Sequence, residues 1–195
     1  MEVVTQKHGS VSPYHSNNDG GWVPALSDPM IIMSWNYRGL GNYHVVQVLA
    51  DLVRSKGPTV MFLMETKLSI QEMELIKNKV GFHSMLAILS VRRSGGIDLL
   101  WKYTITVDPQ TFSLYHIDVH VTVSLQEPWR LTEVYCHPKE QHKKETWTML
   151  KNLHTGAALP WACIGDFSEI LQSSEKSGGL PKLLGVMQEF RSTLL

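Results

Sequence analysis

Three short apolar runs, each closed by a polar residue, constrain this chain more than any other feature. Met30-Ile31-Ile32-Met33 leads into Ser34-Trp35-Asn36, Val60-Met61-Phe62-Leu63-Met64 stops at Glu65, and Trp161-Ala162-Cys163-Ile164-Gly165 stops at Asp166. A continuous apolar run of this length, bounded by polar residues, reads as a buried strand. Such a strand is rigid and its end opens at the edge of the core, so a residue there is fixed yet reachable from solvent. Two carboxylates and an amide supply hard oxygen donors, which suit Mg²⁺ or Mn²⁺ rather than Zn²⁺. The runs lie far apart, so a shared site is a tertiary expectation. The competing reading is three ordinary turn residues at strand ends.

Between these runs the pattern alternates. Val45, Val48, Leu49, Leu52 and Val53 recur at helical spacing and predict a helix over 42–55, stopped by Gly57-Pro58. Ser69 and Glu72 form a capping box for a helix over about 70–80, with Gly81 as its stop. Short strands are expected at His83–Val91, Ile97–Trp101, Thr104–Val107 and Trp129–Cys136. Tyr115, Ile117, Val119, Val121 and Val123 alternate with polar residues, which predicts a half-exposed strand with His116, Asp118 and His120 on its solvated face. Helices are expected over 139–154 and from about Leu183 onward. Residues 1–29 are rich in Ser, Asn, Gly and Pro and show neither period, so they read as a disordered leader. The folded part is 30–195, with helices bracketing mainly antiparallel strands in a layered α+β architecture.

Composition sets the limits. With 43% hydrophobic residues the chain can build a core. Eighteen basic and eighteen acidic residues cancel to a formal charge of zero, which argues against a strongly basic nucleic-acid binder but not against a local basic surface. Two cysteines without a CxxC motif argue against a disulfide scaffold and for a reducing, intracellular compartment.

The blocks SWNYRGLG (34–41), FLMETKL (62–68), SGGIDLLWK (94–102), HIDVHV (116–121), WRLTEVYCHP (129–138), LPWACIGDFSEIL (159–171) and EKSGG (175–179) occur in this order. Together they resemble the endonuclease domain of plant LINE-type (non-LTR) retroelements. That is a branch of the endonuclease/exonuclease/phosphatase superfamily, related to deoxyribonuclease I. The resemblance implies a four-layer αββα sandwich and Mg²⁺-dependent hydrolysis of DNA phosphodiester bonds, as in target-site nicking. Residue by residue, it implies that Asn36 lies beside metal and phosphate and that Glu65 binds the metal. It implies that Tyr135 contacts the phosphate. Asp166 would orient or deprotonate the attacking water or protonate the leaving group. Acting on chromosomal DNA would require a nuclear location.

Two departures follow from the resemblance. The family's Gly-Asp-Phe-Asn ends here in Ser168, whose short hydroxyl offers fewer contacts than an amide. A complete family domain continues to a Ser-Asp-His motif, which these 195 residues lack, so the domain is expected to be incomplete at its C-terminal end and weak or inactive. Asp98 stands where the family has a small or apolar residue.

DNA-backbone contacts are expected from Arg38, Ser168, Lys139 and Lys143. A surface turn for Arg38 and a solvated helix face for Lys139, His142, Lys143 and Lys144 are the competing readings. Cys136, His137 and His142 suggest zinc only weakly, because a fourth ligand is missing. The function classes left open are an impaired DNA endonuclease, a metal- or nucleic-acid-binding module without turnover, and a retroelement fragment without selected function.

Overall fold

The computed structural model describes residues 2–5, 14–16, 22–24, 30–37, 41–89, 95–124, 126–137, 142–155 and 158–194, with the backbone alone before 30 and at 194. In chain order the strands are β1 (Glu2–Thr5), β2 (Tyr14–Ser16), β3 (Trp22–Pro24), β4 (Ile31–Asn36), β5 (Val60–Met64), β6 (Ser84–Ile88), β7 (Ile97–Trp101), β8 (Thr106–Ser113), β9 (His116–Thr122), β10 (Trp129–Tyr135) and β11 (Trp161–Asp166). The helices are α1 (Tyr43–Lys56), α2 (Ile70–Val80), α3 (Lys143–His154) and α4 (Leu184–Leu194). Two compact units divide the chain, Met1–Ile105 and Thr106–Leu195.

The first unit holds a sheet of order β1-β4-β5-β7-β6, in which β4 and β5 run parallel and the other pairs antiparallel. One face of this sheet presents Met33, Met61, Leu63 and Leu100 to Leu49, Val53, Met73 and Ile76 of α1 and α2. Burying each such side chain contributes about 1.5–3 kcal/mol, which makes this contact the main anchor of both helices. On the opposite face Ile32, Phe62, Ile97 and Leu99 are buried as well, as expected of runs apolar on every residue.

Local signals set the helix ends. The Asn42 side chain accepts the His44 amide at the start of α1, and Gly57 closes it in the left-handed region at φ 62°. Ser69 and Glu72 form the expected capping box of α2. The buried stripe of α1 is Val46, Leu49, Ala50 and Val53, rotated from the predicted one, and Val48 is exposed. Ala50 joins the core cluster, while Val45 and Leu52 of the predicted stripe pack against it partly buried.

Within 1–29 the described residues 2–5, 14–16 and 22–24 form strands where the sequence reading expects disorder, and the rest of the segment lies outside the described residues. Antiparallel pairing sets β1 against β4, from Glu2↔Ser34 to Thr5↔Ile31, and β2 and β3 pair with each other. Runs of three or four residues are too short to show a period, while the β-branched pair Val3-Val4 suits an edge position.

In the second unit the order is β11-β10-β9-β8, with β10 and β11 parallel. Strand β8 is longer than expected and carries a register shift between Pro109 and Thr111. Val134, Cys136, Trp147, Leu150 and Phe190 pack together between the sheet and α3 and α4.

The half-exposed reading of β9 is overturned. His116 and Asp118 are buried, Asp118 completely. Arg130 of β10 grips Asp118 with two bonds, Nε to Oδ1 at 2.8 Å and Nη2 to Oδ2 at 2.9 Å. Thr132 Oγ1 donates to Asp118 Oδ1 at 2.6 Å, and Arg130 Nη1 donates to the Leu153 carbonyl of α3. Strict alternation shows that a strand has two different faces. It does not show that water covers the polar one, and a fully paired carboxylate tolerates burial. Among the described residues no helix is long and apolar enough to cross a membrane.

Candidate active site

Each unit delivers its expected site residues at the carboxyl end of its parallel strand pair. In the first unit Asn36 is the last residue of β4 and lies opposite Met64 in register, one residue before Glu65. The Tyr37 amide donates to the Met64 carbonyl at 2.9 Å, which carries the pairing one residue past β4. Oδ1 of Asn36 is shielded from solvent. Glu65 adopts φ 56° and Lys67 φ 55°, so the chain leaves β5 through two left-handed residues that carry side chains. That conformation is costly for a non-glycine residue and persists where the surroundings enforce it.

Part of that enforcement comes from Asp98. Thr66, between the two left-handed residues, is buried and donates its backbone amide to the Gly96 carbonyl at 3.3 Å. Its side chain bonds to the buried carboxylate of Asp98. Burial pushes that carboxyl up to about 6, against the Thr66 bond that favours its charged form.

In the second unit Tyr135 and Asp166 are direct partners across the parallel pair, and the Cys136 amide donates to the Asp166 carbonyl at 2.8 Å. Gly165 makes that register possible. It sits at φ 139°, and a Cβ there would lie 1.9 Å from the Val134 carbonyl oxygen. Glycine is therefore required just before the aspartate. Past the strand the chain turns on the aspartate itself. Asp166 Oδ1 accepts the Ser168 amide at 3.0 Å and the Ser168 hydroxyl at 2.9 Å, and Ser168 sits at φ 51°.

Lys143 departs from both of its sequence readings, DNA contact and solvated face. It is buried, and its Nζ donates to the Ser168 carbonyl at 3.1 Å and to Glu169 Oε1 at 2.7 Å. Lys182 reaches the same oxygen at 2.8 Å. Burial opposes ionisation of Glu169, and the two ammonium groups overcome it and hold the carboxyl below its ordinary range. This cluster fixes the backbone just after the Asp166 turn. Nothing in the spacing of Lys143, Glu169 and Lys182 announces it, whereas the Gly165-Asp166 dipeptide did carry a signal. Arg38 and Lys139 lie outside the described residues.

The zinc suggestion fails among the described residues, which hold no group of three histidine, cysteine or acidic side chains placed to bind a metal. Cys136 packs into the α3 and α4 core, where burial pushes its thiol up to about 11. The Asn36 and Glu65 arrangement is of another kind. One amide and one carboxylate supply oxygen donors only, the chemistry that a hard divalent cation takes.

No protein-family model matches the chain, and no curated protein does. Solved structures do. An AP endonuclease from Leishmania major matches with a TM-score of 0.61 at 15% identity, over 83% of this chain and 64% of that one. An endonuclease/exonuclease/phosphatase family protein from Bacteroides thetaiotaomicron matches with a TM-score of 0.57 at 11% identity, over 70% and 61%. D. rerio TDP2, solved in complex with a single-strand DNA product, matches with a TM-score of 0.53 at 18% identity, over 71% and 60%. The chain spans under two thirds of the length of each. At these identities the likeness shows the fold, and the α+β, deoxyribonuclease-I-like class expected from the sequence is the one these structures share with the chain.

Proposed function

We propose that the chain is a DNA phosphodiesterase of the endonuclease/exonuclease/phosphatase type, derived from a retroelement target-site nicking endonuclease of the plant LINE kind and impaired in turnover. The observation that carries this reading is the placement of Asn36, Glu65, Tyr135 and Asp166 at the carboxyl ends of two parallel strand pairs. Three neighbours of the same fold are an AP endonuclease, an endonuclease/exonuclease/phosphatase family protein and a TDP2 bound to a single-strand DNA product, and the first and third support nucleic acid as the substrate class.

In this reading Asn36 and Glu65 hold Mg²⁺, with Mn²⁺ as the alternative. When bound, the ion supplies charge neutralisation for the phosphate and a lowered pKa for water. The protein's own residues orient the reactants. Tyr135 contacts a phosphate oxygen, a fixed donor that needs no reorganisation as charge develops. Asp166 serves as the acid–base group, and the two Ser168 bonds hold its carboxylate in one orientation. Lys143 and Glu169 keep the supporting loop in place.

Ser168 accounts for the impairment. Its hydroxyl is committed to Asp166 at 2.9 Å, so it does not replace the phosphate contact of an asparagine. Loss of one transition-state donor costs about 10²–10³ in rate. The same commitment of Ser168 favours a second reading, a module that binds metal or nucleic acid without turnover.

The test is nicking of supercoiled plasmid with Mg²⁺ by the full chain and by Ser168→Asn and Asp166→Ala. The expected result is slow nicking, raised about 10²-fold by Ser168→Asn and abolished by Asp166→Ala. Nicking that survives Asp166→Ala refutes the site. Absence of nicking in both the parent chain and Ser168→Asn leaves the binding module as the correct reading.

A further inference from the structure

Beside Tyr135 the second unit carries a row of rings that the reading above does not use. Tyr115 stacks on Tyr135 with centroids 6.4 Å apart and planes 25° apart. Tyr115 meets His137 at 4.7 Å, and His137 meets His142 at 4.6 Å. Tyr115, His137 and His142 line a cavity of about 170 Å³ whose wall is completed by Thr146 and Met149 of α3. All three rings are partly accessible to solvent.

The scaffold under these rings is rigid. The Tyr135 amide donates to the Tyr115 carbonyl at 2.9 Å, and the Tyr115 amide donates to the Ser113 hydroxyl at 3.1 Å. The same hydroxyl bonds to Nδ1 of His116 at 2.8 Å, and Thr111 holds its Nε2 at 3.1 Å. With both nitrogens engaged, His116 serves as structure and not as a ligand for a metal.

The lining decides the ligand class. Among the described residues its lining contains no lysine or arginine, and Glu145 stands in it with an oxygen 2.6 Å from His142 Nδ1. Among the described residues that carboxylate faces no cation but a histidine, which disfavours a phosphate. The volume falls below the roughly 300 Å³ of pockets for drug-sized ligands, so it admits one planar ring and not a whole nucleotide. Aromatic walls with a hydrogen-bond acceptor at the edge suit a nucleobase, which stacks by its face and donates from an exocyclic amine.

We propose that this cavity is a stacking subsite for one unpaired nucleobase of the nucleic acid whose backbone meets Tyr135. The proposal rests on the reading of Tyr135 as a phosphate contact. A paired base keeps both faces in the duplex stack, so the ligand is a single-stranded or extruded base.

The test uses the full chain in EDTA, where binding is read without cleavage. The probe is a short single-stranded DNA with one 2-aminopurine, compared with the same strand carrying an abasic site there and with its duplex. Binding is expected to quench the 2-aminopurine. The abasic strand is expected to bind about tenfold more weakly, in the range of one stacked base. Tyr115→Ala should lose the same factor on the 2-aminopurine strand and nothing on the abasic one, while Tyr115→Phe keeps both quenching and affinity. His137→Leu serves as the second variant if the thermal melt shows Tyr115→Ala to be unfolded. Equal affinity for the abasic strand, or full quenching by Tyr115→Ala or His137→Leu, overturns the proposal. Quenching that obeys this pattern in a chain that never nicks plasmid upholds the subsite and removes only the catalytic reading.

Discussion

Replacing Asp98 by asparagine isolates the cost of one buried carboxylate. Asp98 is 4% exposed, between Leu63 and Ala87 in register, and Thr66 bonds to its side chain. Burial raises its pKa from 3.8 to about 6. A native value above the unfolded one means that the folded chain holds a proton the unfolded chain has already released. The stabilising contribution is therefore complete below about pH 4 and is lost as pH rises through about 6. The gap of roughly two pH units corresponds to about 3 kcal/mol at neutral pH, with little solvent screening at this depth. Asparagine keeps the shape and an acceptor for Thr66 but never ionises. Urea denaturation of both chains from about pH 4 to about pH 8 is expected to show similar stability at the acid end. Asp98→Asn should then lead by about 3 kcal/mol above pH 6, a rise of roughly 6–12 °C in Tm for a chain of this size. A difference that does not change with pH, or an asparagine variant less stable at neutral pH, would refute the reasoning.

Three further outcomes follow from the geometry. Gly165→Ala places a Cβ 1.9 Å from the Val134 carbonyl oxygen, so it should cost about 3 kcal/mol or more in denaturation and break the Tyr135↔Asp166 register. Lys143→Met leaves the buried Glu169 with Lys182 alone and should cost about 2–4 kcal/mol in the same measurement, whereas Lys144→Met, whose side chain is mostly exposed, should cost under about 1 kcal/mol. Cys136 and Cys163, with thiols pushed by burial up to about 11 and about 12, should resist a thiol reagent at neutral pH until the chain is unfolded.

What could be read from the chain beforehand was local. The capping box of Ser69 and Glu72 and the glycine stop at Gly57 act within one helical turn, so their signals sit next to each other in the sequence. The apolar runs that end at Asn36 and Glu65 were visible for the same reason, since burial on both faces leaves nearly every residue apolar, whereas the run that ends at Asp166, expected as a buried strand, has only Ile164 buried and its other residues half-buried. The burial of Asp118 was not, because it depends on Arg130 arriving from the next strand and on the Leu153 carbonyl of α3. Lys143 reads as one basic residue among several, and its partner Glu169 is reached only through the fold. The left-handed backbone of Glu65 and Ser168 had no signal either, as neither is a glycine or asparagine. Glu133 belongs with these. It is fully buried on β10, neither carboxylate oxygen has a hydrogen-bond partner among the described residues, and burial pushes its pKa well above the ordinary range.

The irregularity in β8 bears on how molecules of this protein meet one another. Among the described residues that strand ends its sheet, and its Phe112 is exposed, a combination that invites a neighbouring chain to add its own strand. Pro109 offers no amide to such a visitor, and the shift between Pro109 and Thr111 breaks the even spacing that a continuous intermolecular ladder needs. The outer margin of the sheet is thereby a poor template for a further strand.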